Sequence, residues 1–166
     1  MSGKIERTTS SPIIYRLELE DGRLRRRWLG DKPVSTFLKP VTCPGIPKLY
    51  VIGHAGAIIY VGYTRQPVAS RLRLGFEAQG EHGYWGYSWK ALPYVDLLIW
   101  CFPSEEGKTI ETVEAEVVYL VRKNTGQWPS HQTEIHFHDS SSEQRSLAQN
   151  VYQAYVDYAT STTLDA

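Results

Sequence analysis

Apolar and polar residues change rhythm along this 166-residue chain, and the changes mark out its elements. From Ile13 to Glu20, the residues Ile13, Tyr15, Leu17 and Leu19 alternate with Ile14, Arg16, Glu18 and Glu20, the period of two that a strand requires. Asp21-Gly22 predicts a tight hairpin turn, and Arg23-Leu24-Arg25-Arg26-Arg27-Trp28 returns as a basic second strand. Pro33, Pro40, Pro44 and Pro47 punctuate the next stretch and predict a connector over 31–47. Leu49-Tyr50-Val51-Ile52 and Ala57-Ile58-Ile59-Tyr60-Val61 are β-branched and aromatic runs on either side of a glycine-containing loop. They predict a second pair of neighbouring strands, with Tyr50 and Tyr60 close in space.

Helical spacing begins at Pro67, which suits a first turn, and Val68, Leu72 and Phe76 recur every four residues toward Gln79. Gly80 to Lys90 is rich in glycine and aromatics and predicts an irregular loop near the site. In it, Trp85 and Trp89 read equally well as core residues or as exposed rings that stack on a partner. Tyr94 to Phe102 predicts a third, buried strand. Thr109 to Asn124 predicts a long helix with Ile110, Val113, Val117, Leu120 and Val121 on one face, stopped by Gly126. Thr133 to His138 predicts a short strand or extended segment. Ser140 to Glu143 offers a capping box that opens a final helix reaching about Thr160.

The elements predict an α/β (α+β) fold: a small central mixed or antiparallel sheet flanked by helices. Residues 1–47 form a hairpin extension and connector, 48–138 a core, and 139–166 a C-terminal helix and tail. The length is enough for one domain to bury a real core. No apolar run approaches the ~20 residues that span a bilayer, and the first residues lack the apolar segment of a secretory signal. A cytoplasmic protein with no membrane partner is expected. Cys43 and Cys101 make neither a disulfide framework nor a zinc set. The formal net charge is zero, yet residues 1–90 carry 14 Lys/Arg against 7 Asp/Glu and residues 91–166 carry 4 against 11. Such asymmetry can place a basic face on one side of the molecule.

Four stretches resemble the GIY-YIG nuclease family: Lys48-Leu49-Tyr50, Tyr60-Val61-Gly62-Tyr63-Thr64, Arg71-Leu72 and Glu114-Ala115-Glu116-Val117-Val118, over roughly residues 48–132. Lys48 and Leu49 stand where the family usually has Gly and Ile. Gln132, three residues after Pro129, stands where it often has asparagine. The resemblance implies a metal-dependent endonuclease that hydrolyses DNA, most simply double-stranded DNA, with Tyr50, Tyr60, Arg71 and Glu114 as the catalytic set. Tyr50 would act near the attacking water, Arg71 would hold the scissile phosphate, and Glu114 would ligate one Mg²⁺ or Mn²⁺. Glu111 and Glu116 are the competing carboxylates.

Arg23, Arg25, Arg65, Arg73, Lys90 and Gln132 are candidates for contacts with nucleic acid. On a strand, Glu134, His136 and His138 would share a face and suggest a second metal site. A homodimer is compatible with the sequence. Two other functions fit the same residues, a catalytically silent nucleic-acid-binding module of this fold and a protein-interaction module.

Overall fold

The computed structural model describes residues 11–164. Its centre is one six-stranded sheet built from β1 (Ile13–Glu20), β2 (Arg23–Leu29), β3 (Lys32–Val34), β4 (Lys48–His54), β5 (Ala57–Thr64) and β6 (Tyr94–Cys101). The strand order is β3-β2-β1-β6-β4-β5, and every pairing is antiparallel. Of the two sheet types expected, the molecule has the purely antiparallel one. The N-terminal hairpin extends the sheet through β1, which pairs with β6 from Ile13↔Ile99 to Glu18↔Tyr94. Part of the proline-rich connector is ordered as β3, and Pro33 sits on this edge strand, where a missing N–H costs least.

Three helices cover the two faces: α1 (Val68–Glu77), α2 (Gly107–Thr125) and α3 (Ser142–Leu164). The alternation along each strand sorts side chains to one face or the other. Tyr50, Ile52, Leu97, Ile99, Tyr15 and Leu17 meet Val68, Leu72 and Phe76 of α1 on the first face. Leu49, Val51, Val61, Leu98 and Trp100 meet Ile110, Val113 and Val117 of α2 and Val151 of α3 on the second. Full burial of each such aliphatic residue contributes about 1.5–3 kcal/mol.

Local chemistry sets the element ends. Asp21 and Gly22 both have positive φ, as do Ala55 and Gly56, so two-residue turns close both hairpins. The second turn is thus shorter than the four-residue loop in the sequence, because the strands run on through Gly53 and His54. Gly126 ends α2 in the left-handed conformation. The box that opens α3 lies one residue later than expected: Ser141 Oγ accepts from the Gln144 N–H, and Gln144 Oε1 accepts from the Ser141 N–H. Residues 133–139 are irregular and not a strand.

Lys48 is fully buried at the start of β4, where its ammonium donates to the carbonyls of Cys43, Ile46 and Gln66 at 2.7, 3.0 and 2.9 Å. Burial pushes its pKa down, and the Cys101 and Cys43 thiols oppose that shift. This lysine ties the 43–47 loop to the exit of β5. A glycine here would leave those three carbonyls without the donor.

Candidate functional site

A cluster of phenols forms where β4, β5 and α1 meet. Tyr50 and Gly62 are cross-strand partners, and the Tyr50 ring lies flat over Gly62. A Cβ at Gly62 would fall 2.2 Å from the ring, so no other residue leaves room for the phenol. Ile52 pairs with Tyr60, but Gly53 pairs with Ile58, which leaves Ile59 as an extra residue in β5. A bulge of this kind re-aims the neighbouring side chain, and the adjacent Tyr60 ring centre lies 6.0 Å from that of Tyr50.

Tyr87 completes the group. Its hydroxyl is 2.9 Å from that of Tyr50, and its ring meets Tyr60 edge-on at 5.4 Å and stacks on Trp89 at 4.6 Å. Gly75 of α1 makes the room, since a Cβ there would fall 2.0 Å from the Tyr87 ring. The Tyr87 N–H donates to the Gly75 carbonyl at 3.1 Å, so loop and helix are locked together. A short 3-10 turn, Ser88–Ala91, follows inside the stretch that the sequence marks as irregular.

Arg71 extends from α1 across these rings. Its guanidinium carbon is 5.0 Å from the Tyr87 ring centre and 5.8 Å from that of Tyr84, and Nη1 donates to the Tyr84 hydroxyl at 3.0 Å. Burial disfavours the guanidinium charge, but the Tyr50, Tyr87 and Tyr84 oxygens outweigh it and hold Arg71 protonated. Glu114 joins from α2, half-buried. Burial and then Glu111 push its carboxyl up to about 8, with Arg71 pulling the other way. Arg71 and Glu114 sense one another, yet no ion pair joins them among the described residues. Arg71 therefore has no carboxylate closed onto it, and Glu114 is half-buried with no cation in contact.

Tyr50, Tyr60, Arg71 and Glu114 thus converge from two strands and two helices. One expectation needs correction. Tyr50, read as the phenol nearest the attacking water, is 1 % exposed and hydrogen-bonded to Tyr87. Burial raises its pKa well above the ordinary phenol value, as do the neighbouring Tyr87 and Tyr60. Tyr60, on the paired strand, is less deeply buried than Tyr50. Its pKa is also raised by burial, with Arg71 opposing.

The other candidates are spread more widely. Arg23 and Arg25 lie on β2, four strand spacings from β5, or roughly 19 Å. Arg25 is exposed and pairs with Glu20 at 3.4 Å. Arg65 is exposed and donates to the Gly45 carbonyl. Arg73 points away from Arg71, two residues on along α1. The Lys90 ammonium donates to the carbonyls of Phe76 and Ala78, satisfying the C-terminal end of α1. Gln132 lies on the β5 edge, where its amide both accepts from the Val61 N–H at 2.9 Å and donates to the Val61 carbonyl at 3.0 Å.

His136 and Glu134 approach to 3.5 Å on an exposed, irregular segment. Among the described residues, no group of three or more His, Cys, Asp or Glu forms a metal cage. Two concavities, of about 210 and 450 Å³, lie beside the β1–β2 turn and between α3 and the β4–β5 turn, and neither includes the phenol cluster.

Tyr84 and Tyr87 are the functional candidates that sequence spacing does not single out. The only signal for them is the density of aromatics and glycines between Gly80 and Lys90. No family model, curated protein or solved structure matches this chain.

Proposed function

We propose that the chain is a metal-dependent endonuclease that hydrolyses DNA phosphodiester bonds at the Tyr60–Arg71–Glu114 surface. The observation that carries this reading is the unpaired arrangement of Arg71 and Glu114 beside three packed phenols. Hydrolysis of a phosphodiester develops negative charge on the non-bridging oxygens. The Arg71 fork, steadied on the rings of Tyr84 and Tyr87, matches two such oxygens. The half-buried Tyr60 hydroxyl orients the attacking water. Tyr50 acts through Tyr87, fixing the plane against which Arg71 lies.

The Glu114 carboxylate fits a hard divalent cation. It is half-buried, close to Glu111 and without an ion-pair partner among the described residues, so its charge is costly until a cation meets it. One carboxylate with water and substrate oxygens is a donor set that suits Mg²⁺ or Mn²⁺. Such a cation supplies charge relief at the phosphate and a more acidic bound water.

The deciding experiment is plasmid cleavage with Mg²⁺, with Mn²⁺ and with excess chelator. Nicking or cutting in the first two and none in the third is expected. Full activity in chelator would remove the one-cation site. Inactivity on every DNA with every cation would leave a binding module.

A further inference from the structure

Trp85 is 72 % exposed, the most exposed large apolar side chain among the described residues, and it lies next in sequence to the tyrosine that holds Arg71. Trp89, four residues on, is fully buried. The two tryptophans that the sequence could not separate therefore have different jobs. The Trp85 indole is not loose. One edge rests on Gly80, where a Cβ would come within 2.7 Å of the ring.

The turn beneath it is cross-tied. The Gly80 N–H donates to the Tyr84 carbonyl, Tyr84 N–H to the Glu81 carbonyl, Gly83 N–H to the Gly80 carbonyl, and Gln79 N–H to the Glu81 carboxylate. His82 adopts positive φ within it, a conformation that L residues rarely take. A firmly built turn thus displays a bare aromatic face to water.

We propose that this turn is a stacking platform for an unpaired base of single-stranded DNA, with Trp85 under the base and Arg71 on a neighbouring phosphate. The phosphate end of the proposal rests on the nuclease reading above. A protein partner fits less well, because such interfaces need about 800 Å² per side. Around Trp85 the apolar surface is small: Tyr84 is 42 % exposed, while Glu81, His82 and Gly83 are polar or bare. An exposed ring one residue along from the tyrosine that holds a planar cation offers a nucleotide's two halves, a π-face and an anion, a partner each. Tyr84 links the two, touching Arg71 through its hydroxyl and Trp85 through the chain.

The test is binding of a short fluorescein-labelled oligothymidylate in excess chelator, with affinity read from the anisotropy of the label and tryptophan emission recorded alongside. Stacking should quench the emission, and Trp85→Ala should remove that quench and weaken binding by about 5- to 150-fold, the equivalent of one stacked base. Trp85→Phe should keep most of the affinity and Trp85→Leu should not, because the contact needs a π-face and not mere apolarity. An unchanged denaturation midpoint in each variant shows that the fold persists. Wild-type affinity in Trp85→Ala, or in Trp85→Leu, overturns the platform. Trp85-dependent binding by a protein that cuts nothing supports the platform and sinks the nuclease reading, whereas cleavage with Trp85-independent binding does the reverse.

Discussion

Among the described residues two arginines lie over tyrosine rings, Arg16 and Arg71, and their acids sit differently. On the α3 face, Arg16 lies 4.7 Å from the Tyr94 ring and closes onto Asp96 through Nε at 2.9 Å and Nη2 at 3.4 Å. Asp96 is buried, and it adds to the burial that pushes the Tyr158 phenol up to about 12. On the α1 face, Arg71 lies 5.0 Å from the Tyr87 ring, but its acid stands off. The first set neutralises itself and holds β1 to β6. The second leaves its cation with no carboxylate closed onto it and its acid half-buried nearby, which suits a ligand carrying both an anionic group and a cation. Residue type alone does not distinguish structure from function here. What sets the two clusters apart is whether the acid closes onto the cation.

The largest expected effect tests the open pair. Glu114→Gln should lower cleavage by orders of magnitude, since losing a transition-state cation costs several kcal/mol. Chemical denaturation of the same variant should show no loss of stability near pH 4.5 and a gain over the wild type that grows as pH rises toward 8. The sign follows from the carboxyl's pKa, raised from 4.5 to about 8. Between those values the folded protein keeps a proton that the unfolded chain has released, so stability falls as pH rises from about 4.5 to 8. In chelator the wild type should show that decline and Glu114→Gln should not. If Asp96→Asn impaired cleavage as deeply, the contrast between the two clusters would collapse.

Arg71→Lys comes next. It keeps the charge but loses the fork and the stacking on Tyr84 and Tyr87, so single-turnover rates should drop about 10²–10³-fold. DNA affinity, the sum of several phosphate contacts, should fall much less. Equal losses in rate and affinity would make Arg71 a mere anchor.

Asp96→Asn sharpens the closed side. It leaves Arg16 without its carboxylate, and because the Arg16 side chain is 47 % exposed, solvent screens the damage. A loss of about 1–3 kcal/mol in denaturation, with cleavage intact, is expected.

Tyr50→Phe and Tyr87→Phe each remove one end of a single buried hydrogen bond. Each should cost about 0.5–1.5 kcal/mol, and the double variant little more than either alone. Additive losses would show that the hydroxyls have separate partners. The smallest effect belongs to Arg25→Ala, whose exposed pair with Glu20 contributes about 0.2–1 kcal/mol at most.

Much of this was legible in the chain. The two tyrosine-bearing runs had to be neighbouring strands, because a short glycine turn joins them. The helices carrying Arg71 and Glu114 followed from four-residue spacing. The long-range partners were not legible. β1 finds β6 some 80 residues away, and no local pattern encodes that pairing. Tyr87 reaches Tyr50 only because Gly75, on another element, has no side chain. Lys48 reads as a departure from a family pattern until three loop carbonyls surround it. Residues 133–138 have a plausible strand composition but no partner strand, because the β5 edge beside them is already occupied by the backbone of His131 and the amide of Gln132.

The glycines under the tyrosine rings have a consequence for how this chain can diverge. Gly62 lies beneath Tyr50 and Gly75 beneath Tyr87, as Gly53 lies beneath Tyr155 on the opposite face. Each couple is one steric unit. A side chain gained at the glycine requires the ring to be lost, and a ring lost to a smaller residue releases the glycine to change. A substitution at one member should therefore be tolerated only together with a substitution at the other.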